Sequence, residues 1–324
     1  MLNDLKFVQG AVARKDYVPA LTHFRIADGR IYGFNGRLGI STPTDLDVLA
    51  CPKAVPFVKA IERIPDGKEV VLNVTTAGKL SIKAGPFRAY VDCHPNDASV
   101  PVVAPAGDRV ELGGEILPVL RRLSPFMGID ASRPWAMGIL LDGQSAYATN
   151  NIVLVEHWMP FYFPARMCIP AEAVKELLRI GEEPMAAQIE ANSVTFHFET
   201  GAWLKTQLFS TEWPDLGRVL NRPHNAKPIP AGFFDAVQRL DAFTEKDNRL
   251  HLRGGLLATS EHEGEGASYE LPGLEGVGCH FLGQMAKLAD VALEIDFAMW
   301  PSPCLFFGDQ LRGAIVGMRI NDAV

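Results

Sequence analysis

The chain is poor in cysteine, with five in 324 residues, odd in number, far apart and without a CxxC pair. That excludes a disulfide framework and reads as free thiols in a reducing, cytoplasmic setting. Long apolar runs are missing too; none approaches the roughly 20 residues that a bilayer span needs. Asp4 and Lys6 interrupt the opening segment, so no signal peptide is expected. Nor is there a surplus of positive charge. Lys and Arg total 31 against 38 Asp and Glu, a formal −7, which disfavours an indiscriminate nucleic-acid binder. What the chain does hold is core material: 48% of its residues are hydrophobic, which excludes a disordered or collagen-like polymer. Its length fits two or three domains of about 100–150 residues.

Three segments share one order of signals. Each opens with apolar residues at the helical period of 3.6: Leu5, Val8 and Val12 within Leu2–Arg14, Ile116, Leu117, Leu120 and Leu123 within Gly114–Met127, and Phe233, Phe234, Val237 and Leu240 within Pro230–Phe243. Alternating strand pairs follow, with turns expected at Asp28-Gly29, Asp142-Gly143 and Gly254-Gly255. Short similar strings sit in each second strand: Gly33-Phe34-Asn35, Ala148-Thr149-Asn150 and Ala258-Thr259-Ser260. A second helix is then expected over Pro52–Ile64, Pro170–Ile180 and Phe281–Val291, and more strands after each. First helices recur about 110–116 residues apart. Pro-rich joints at 101–108 and 221–230 give three domains, 1–106, 107–224 and 225–324. Each unit reads helix, strands, helix, strands, an α+β plan with two helices against antiparallel sheets.

Catalytic signatures are absent. Cys93-His94 and Cys279-His280 are adjacent pairs, a spacing that does not put two ligands on one face. The eight histidines form no HxH or HExxH. Gly273, Gly276 and Gly278 mimic a phosphate-binding GxGxxG only loosely, because no strand feeds them. Asp45 and Asp47 read as a solvated loop rather than a carboxylate pair. The expectation is a protein that is not an enzyme and holds no metal or cofactor.

Charge placement carries more. Each of the six helices has cations on or near its polar side: Lys6, Arg14 and Lys15 on the first, Lys53, Lys59 and Arg63 on the second, Arg121 and Arg122 on the third, Lys175 and Arg179 on the fourth, Arg239 on the fifth and Lys287 on the sixth. An acidic body with a basic lining attracts phosphates inside and repels stray nucleic acid outside.

The order of these signals resembles the bacterial-type DNA sliding clamp, the β subunit of DNA polymerase III, in a divergent version. The resemblance rests on IPAEAVKELLRI and its following strands, on the turn Trp213-Pro214-Asp215-Leu216 with Arg218-Val219, on HFLGQMAKLADV with EIDFAMWPSPCLFF, and on the closing IVGMRI. It implies three repeated clamp domains per chain and a homodimeric ring around double-stranded DNA, touching phosphates without reading sequence. Such a ring is a processivity factor that tethers the polymerase and meets the clamp loader through a short peptide motif. Carried over by position, the peptide pocket is Thr149, Asn151, Ile152, Val153, Leu154, Pro214, Arg218, Val219, Ile315, Val316, Gly317, Met318 and Arg319, bordered by Leu282 and Met285. Gly317 stands where the family has proline, which implies a looser tail. The ring interface falls on Arg88, Ala89, Tyr90 and Val91 of one domain and Ala242 and Phe243 of another. The alternative is a clamp-like oligomeric scaffold that binds proteins and never surrounds DNA.

Overall fold

The computed structural model describes residues 1–15, 17–95, 99–210, 212–244 and 248–319. Its α-helices are α1 (Leu2–Gln9), α2 (Ala54–Glu62), α3 (Leu117–Leu123), α4 (Ala171–Ile180), α5 (Gly217–Leu220), α6 (Phe233–Asp241) and α7 (Leu282–Ala286). Six answer the six expected helices; α5, a single turn, is additional. The apolar period sets their buried faces: Leu5 and Val8 on α1, Phe57, Val58 and Ile61 on α2, Ala173, Val174 and Leu177 on α4, and Phe233, Val237 and Leu240 on α6. Each large side chain fully withdrawn from water contributes about 2–3 kcal/mol.

Several helices are shorter than their periodic stretch. After Gln9 the chain tightens, with Ala11 N–H bonded to the Val8 carbonyl and Val12 N–H to that of Gln9, and Ala13 N–H then turns to Leu21. This ends α1 well before Arg14. The first and third expected turns form as two-residue hairpins with left-handed backbone throughout, φ 53° and 68° at Asp28-Gly29 and 45° and 86° at Gly254-Gly255. The second does not form. Strand Gly138–Thr149 runs through Asp142-Gly143 with register shifts there, because the 18-residue partner Val153–Pro170 is long enough to pair with both halves. The dipeptide becomes a bulge, and the chain reverses instead at Asn150–Ile152.

The similar strings do not lie within a strand as expected: Arg30–Phe34, Gly138–Thr149 and Leu256–Ala258 end at them, and each closes its strand with one device. Asn35 Oδ1 accepts from the N–H groups of Arg37 and Leu38 at 3.0 and 2.8 Å. Asn150 Oδ1 accepts from those of Ile152 and Val153 at 3.0 and 2.8 Å. Ser260 Oγ accepts from His262 N–H at 3.1 Å. Each fixes a tight turn through a short polar side chain.

The chain forms two compact units. The first comprises Met1–Leu117 with Glu172–Phe209, and the second Pro118–Ala171 with the described residues of Ser210–Val324. Each contains strands from two of the expected domains, because backbone ladders cross the joints. The first unit holds a seven-stranded antiparallel sheet in the order Arg25–Ala27, Arg30–Phe34, Leu38–Pro43, Trp203–Gln207, Ser193–His197, Ala186–Glu190, Asp108–Glu111. It also holds a three-stranded sheet, Val71–Val74, Lys79–Ala84, Phe87–Asp92. In the second unit a six-stranded sheet runs Lys227–Pro228, Glu294–Ile295, Cys304–Gly308, Leu311–Ile315, Val153–Pro170, Gly138–Thr149. Beside it lies a four-stranded sheet, Ser268–Glu270, Leu256–Ala258, Arg249–Arg253, Val277–Phe281. The seven- and six-stranded sheets follow one plan: a linker strand, three strands that follow a second helix, then hairpin strands of the preceding repeat. No described helix is long and apolar enough to cross a membrane.

Candidate functional site

The expected cations divide into two groups. Arg14, Lys15, Lys53, Lys59, Arg63, Arg121, Lys175 and Arg239 are exposed. Lys53, Lys59 and Arg63 lie on α2 or its ends and Lys175 on α4, on helices whose opposite faces are buried. Arg14 and Lys15, beyond the end of α1, line an open cleft with Asn35, Arg37 and Glu172, whose carboxylate accepts from Asn35 Nδ2 at 2.7 Å. Arg37 is a cation that the helical reading passed over; its signal was the Asn-Gly-Arg turn, not a period.

The remaining four are held by the protein. Lys6 pairs with Glu62 Oε1 at 2.8 Å, and that bond holds the Glu62 carboxyl below its ordinary range. Arg179 bonds the Glu176 carboxylate and donates to the Phe7 carbonyl at 2.8 Å, closing the end of α1. Glu176 itself lies against Gly10, where any Cβ would collide with it. In the second unit Arg122 donates to the Asp309 carbonyl at 3.0 Å, and Lys287 to the Pro125 carbonyl at 3.0 Å. These donors hold structure together, although Lys6, Arg179 and Lys287 are themselves exposed, so a count of helix cations overstates the charge that has no protein partner to satisfy.

All residues expected in the peptide pocket lie in the second unit, and burial sorts them. Val153, Ile315, Leu282 and Met285 are at most 1% exposed. They are core rather than lining, because their strand and helix faces turn inward. Thr149 is buried as well, donating to the Val153 carbonyl at 2.8 Å and accepting from Asn151 N–H at 3.1 Å; Asn151 takes a left-handed φ of 72°. Leu154 joins Leu220, Leu305 and Ala314 in an apolar cluster edged by the partly open Tyr147, Leu216, Val219 and Met299. Val316 N–H bonds the Ile152 carbonyl at 2.8 Å, so these two partly open residues are neighbours. Pro214, Arg218 and Arg319 are exposed, and Met318 is half-buried. Tyr147, Leu216 and Met299 join this rim outside the expected set, because nothing in their spacing distinguishes them from core.

The tail is not loosened by Gly317. Met318 N–H bonds the Cys279 carbonyl at 2.7 Å, and Trp300 Nε1 donates to the Met318 carbonyl at 3.0 Å. A Cβ at Gly317 would lie 2.4 Å from Trp300 Cδ1. The indole fills the place a proline ring would need, and glycine admits it. Beneath the tail, burial pushes the His280 imidazole down to about 4 and the Cys279 and Cys304 thiols up to about 11 and 12. All three are neutral at pH 7, which leaves no activated nucleophile among them. No group of three or more His, Cys, Asp or Glu among the described residues is placed to hold a metal ion.

One buried ion pair ties the six-stranded sheet across its joint. Glu156, 4% exposed, accepts from Arg312 Nε at 2.6 Å, Tyr147 Oη at 2.7 Å and Ser145 Oγ at 2.8 Å. Burial lifts the Tyr147 phenol to about 12, so it remains a donor. The expected interface residues Arg88, Ala89, Tyr90 and Val91 belong to the edge strand Phe87–Asp92, where Tyr90 is 61% exposed. Ala242 and Phe243 follow α6, with Phe243 60% exposed.

No protein-family model and no curated protein sequence matches the chain. Solved structures do. The β sliding clamp of C. crescentus is 19% identical with a TM-score of 0.85, covering 98% of this chain and 96% of that one. The sliding clamp (DNA polymerase III subunit beta) from Bartonella birtlesii, bound to griselimycin, is 17% identical with a TM-score of 0.83, covering 98% and 97%. The Helicobacter pylori β clamp, bound to a DNA ligase peptide, is 14% identical with a TM-score of 0.80, covering 98% and 97%. Along almost its whole length, and with little sequence in common, the chain takes the fold of the bacterial DNA sliding clamps.

Proposed function

We propose that the protein is a DNA sliding clamp, not an enzyme: three clamp domains, 1–106, 107–224 and 225–324, two copies of which close head to tail around duplex DNA and tether a polymerase. One observation carries the reading, a sheet left in two halves. The seven- and six-stranded sheets each join three strands after a second helix to the hairpin strands of the preceding repeat. The three-stranded sheet after α2 and the strands Ser268–Glu270, Leu256–Ala258 and Arg249–Arg253 are the two halves of a third such sheet. Their edges, Phe87–Asp92 and Ser268–Glu270, pair with no further strand among the described residues. Joining them between copies satisfies both rows of backbone groups and repeats an interface the chain already makes twice. The turn after Ala258-Thr259-Ser260 carries Glu261, Glu263 and Glu265. In the two built joints that turn's polar residue reaches the next second helix, Asn35 to Glu172 and Asn150 to Gln284. In the closed ring it faces α2 with Lys53 and Lys59, an attraction of opposite charges. Lys287 and Arg179 each reach the end of a preceding first helix; the corresponding place after α6 is Ala242-Phe243.

DNA contact falls to the exposed cations Arg14, Lys15, Arg37, Lys53, Lys59, Arg63, Arg121, Lys175 and Arg239, which touch phosphates through long, exchangeable side chains. Partner peptides dock on Ile152, Leu154, Val219, Val316 and Met318, an apolar surface with an adaptable methionine. Retention on nicked circular DNA, abolished when the circle is cut, tests encirclement. Replacing Arg14, Lys15, Lys59 and Lys175 with Ala should lower the salt slope of DNA binding by roughly one for each phosphate left without its cation. A stable monomer, or escape from circular and linear DNA at equal rates, overturns the ring. The second reading, a peptide-binding scaffold without DNA, is favoured by the four cations tied to protein partners; it requires peptide binding with no retention on circles.

A further inference from the structure

The surface that docks partner peptides does not stop at Leu154. Along the strand Val153–Pro170 burial alternates: Met159, Phe161 and Phe163 are buried, while Trp158, Pro160, Tyr162 and Pro164 are exposed. Leu154, Glu156 and Trp158 therefore share one face of the sheet. On the neighbouring strand Tyr147 stands opposite Glu156 and Ser145 opposite Trp158, both partly open. Leu154, Tyr147 and Trp158 thus follow one another along a single track, and at its end the indole is 41% exposed.

The track is apolar and held in place. Glu156, between Leu154 and Trp158, is buried and bonded to Arg312, Tyr147 and Ser145, so its charge is already taken up. The Arg312 guanidinium carbon lies 5.8 Å from the centre of the Trp158 ring, a cation–π contact that fixes the indole from one side. Strand addition is disfavoured here. The ladder to Leu311–Ile315 ends where Trp158 N–H bonds the Gln310 carbonyl at 2.9 Å. Past that point Pro160 and Pro164 have no N–H to offer an added strand. A ligand must therefore bind through side chains, and Trp, Tyr and Arg are the residues that carry most energy in such contacts.

We propose that Trp158 is a second station of the partner-peptide site, taken by an aromatic side chain of the same extended segment that seats its apolar anchor beside Leu154. The inference rests on the docking reading above. Continuity of face names the occupant: a segment anchored at Leu154 and running along the strand passes the neutralised Glu156 and meets the indole next. Four strand residues separate the two stations, about 13 Å, so the anchor and the aromatic residue of an extended ligand lie about four positions apart.

Random dodecapeptides selected by display on the full chain are the probe, with affinities measured on the chosen sequences. They should carry an apolar and an aromatic residue about four positions apart. Trp158→Ala should weaken them about thirtyfold, the scale of a hot-spot aromatic, and Trp158→Phe should restore most of the loss. Replacing the peptide's aromatic residue with Ala should cost as much on the unaltered protein and nothing more on Trp158→Ala, the mark of a direct contact. Val219→Lys, at the rim beside Leu154, should also abolish binding. Loss with Val219→Lys but not with Trp158→Ala overturns this inference and leaves the docking reading intact. Indifference to both variants overturns the docking reading and the second station with it. A lower sedimenting mass of Trp158→Ala would give this face to a second copy and overturns the inference as well.

Discussion

The two joints within the chain share a backbone plan and differ in what they do with it. Both begin at an Asn turn, so Leu38 corresponds to Val153, and strand pairs Leu38↔Thr206 and Val153↔Ile315 open the two ladders. One residue on, Gly39 corresponds to Leu154. At the first joint Val103 from the linker packs into the space a side chain would take, its Cγ2 2.2 Å from where a Cβ on Gly39 would stand. That joint is a closed seam. At the second, Leu154 projects into a cluster whose rim, with Tyr147, Leu216, Val219 and Met299, stays partly open. Two residues further, Ser41 takes a single bond from Arg30 Nε at 2.9 Å, whereas Glu156 gathers Arg312, Tyr147 and Ser145. A shared ladder thus fixes where a joint lies, and one or two side chains decide whether it is sealed or left partly open.

The sharpest way to break this comparison is to remove the charge at its centre. Glu156→Ala leaves Arg312 without its buried partner and should cost about 3–5 kcal/mol, while Ser41→Ala should cost about 1 kcal/mol; urea titration of both variants measures the difference. Acid should separate the two units next. His280 in the second unit has a folded pKa of about 4, below the ordinary value of 6.5. A depressed histidine is neutral when folded, so its contribution is present above pH 6.5 and disappears as pH falls toward 4. The loss is on the order of 3 kcal/mol. Hydrogen exchange as a function of pH should show the second unit opening in that window, and His280→Phe should flatten the dependence. The smallest effect tests the seam itself. Gly39→Ala drives a methyl into Val103 and should cost about 1–3 kcal/mol, and Val103→Ala should restore most of it. If Gly39→Ala is neutral in thermal unfolding, the first joint is looser than its packing indicates.

The helices were legible because each needs one buried stripe, and Leu5 with Val8, or Val174 with Leu177, announces it at the right period. Their ends were less so: α1 stops at Gln9 because Ala13 N–H finds a partner at Leu21, a pairing no local pattern contains. Asp142-Gly143 failed as a turn for the same reason, since an 18-residue partner strand outweighed a dipeptide preference. Among site residues, Arg14 and Lys15 were readable as exposed cations. Arg122, Arg179 and Lys287 were equally readable as cations, but their carbonyl partners lie between 162 and 187 positions away. The pocket residues mixed lining with core because Val153 and Leu154, adjacent in a strand, point to opposite faces.

By itself the sequence determined the order of helices and strands, the hairpin turns at Asp28-Gly29 and Gly254-Gly255, and the acidic balance with cations on every expected helix. These are local matters, set by periodicity and by turn residues that accept a left-handed backbone. Only the tertiary structure decided which cations are held by carbonyls, that Trp300 rather than a proline occupies the place beside Gly317, and which strand edges are covered. Such outcomes depend on pairings between residues far apart in the chain, whose energies exist only once the fold has brought them together.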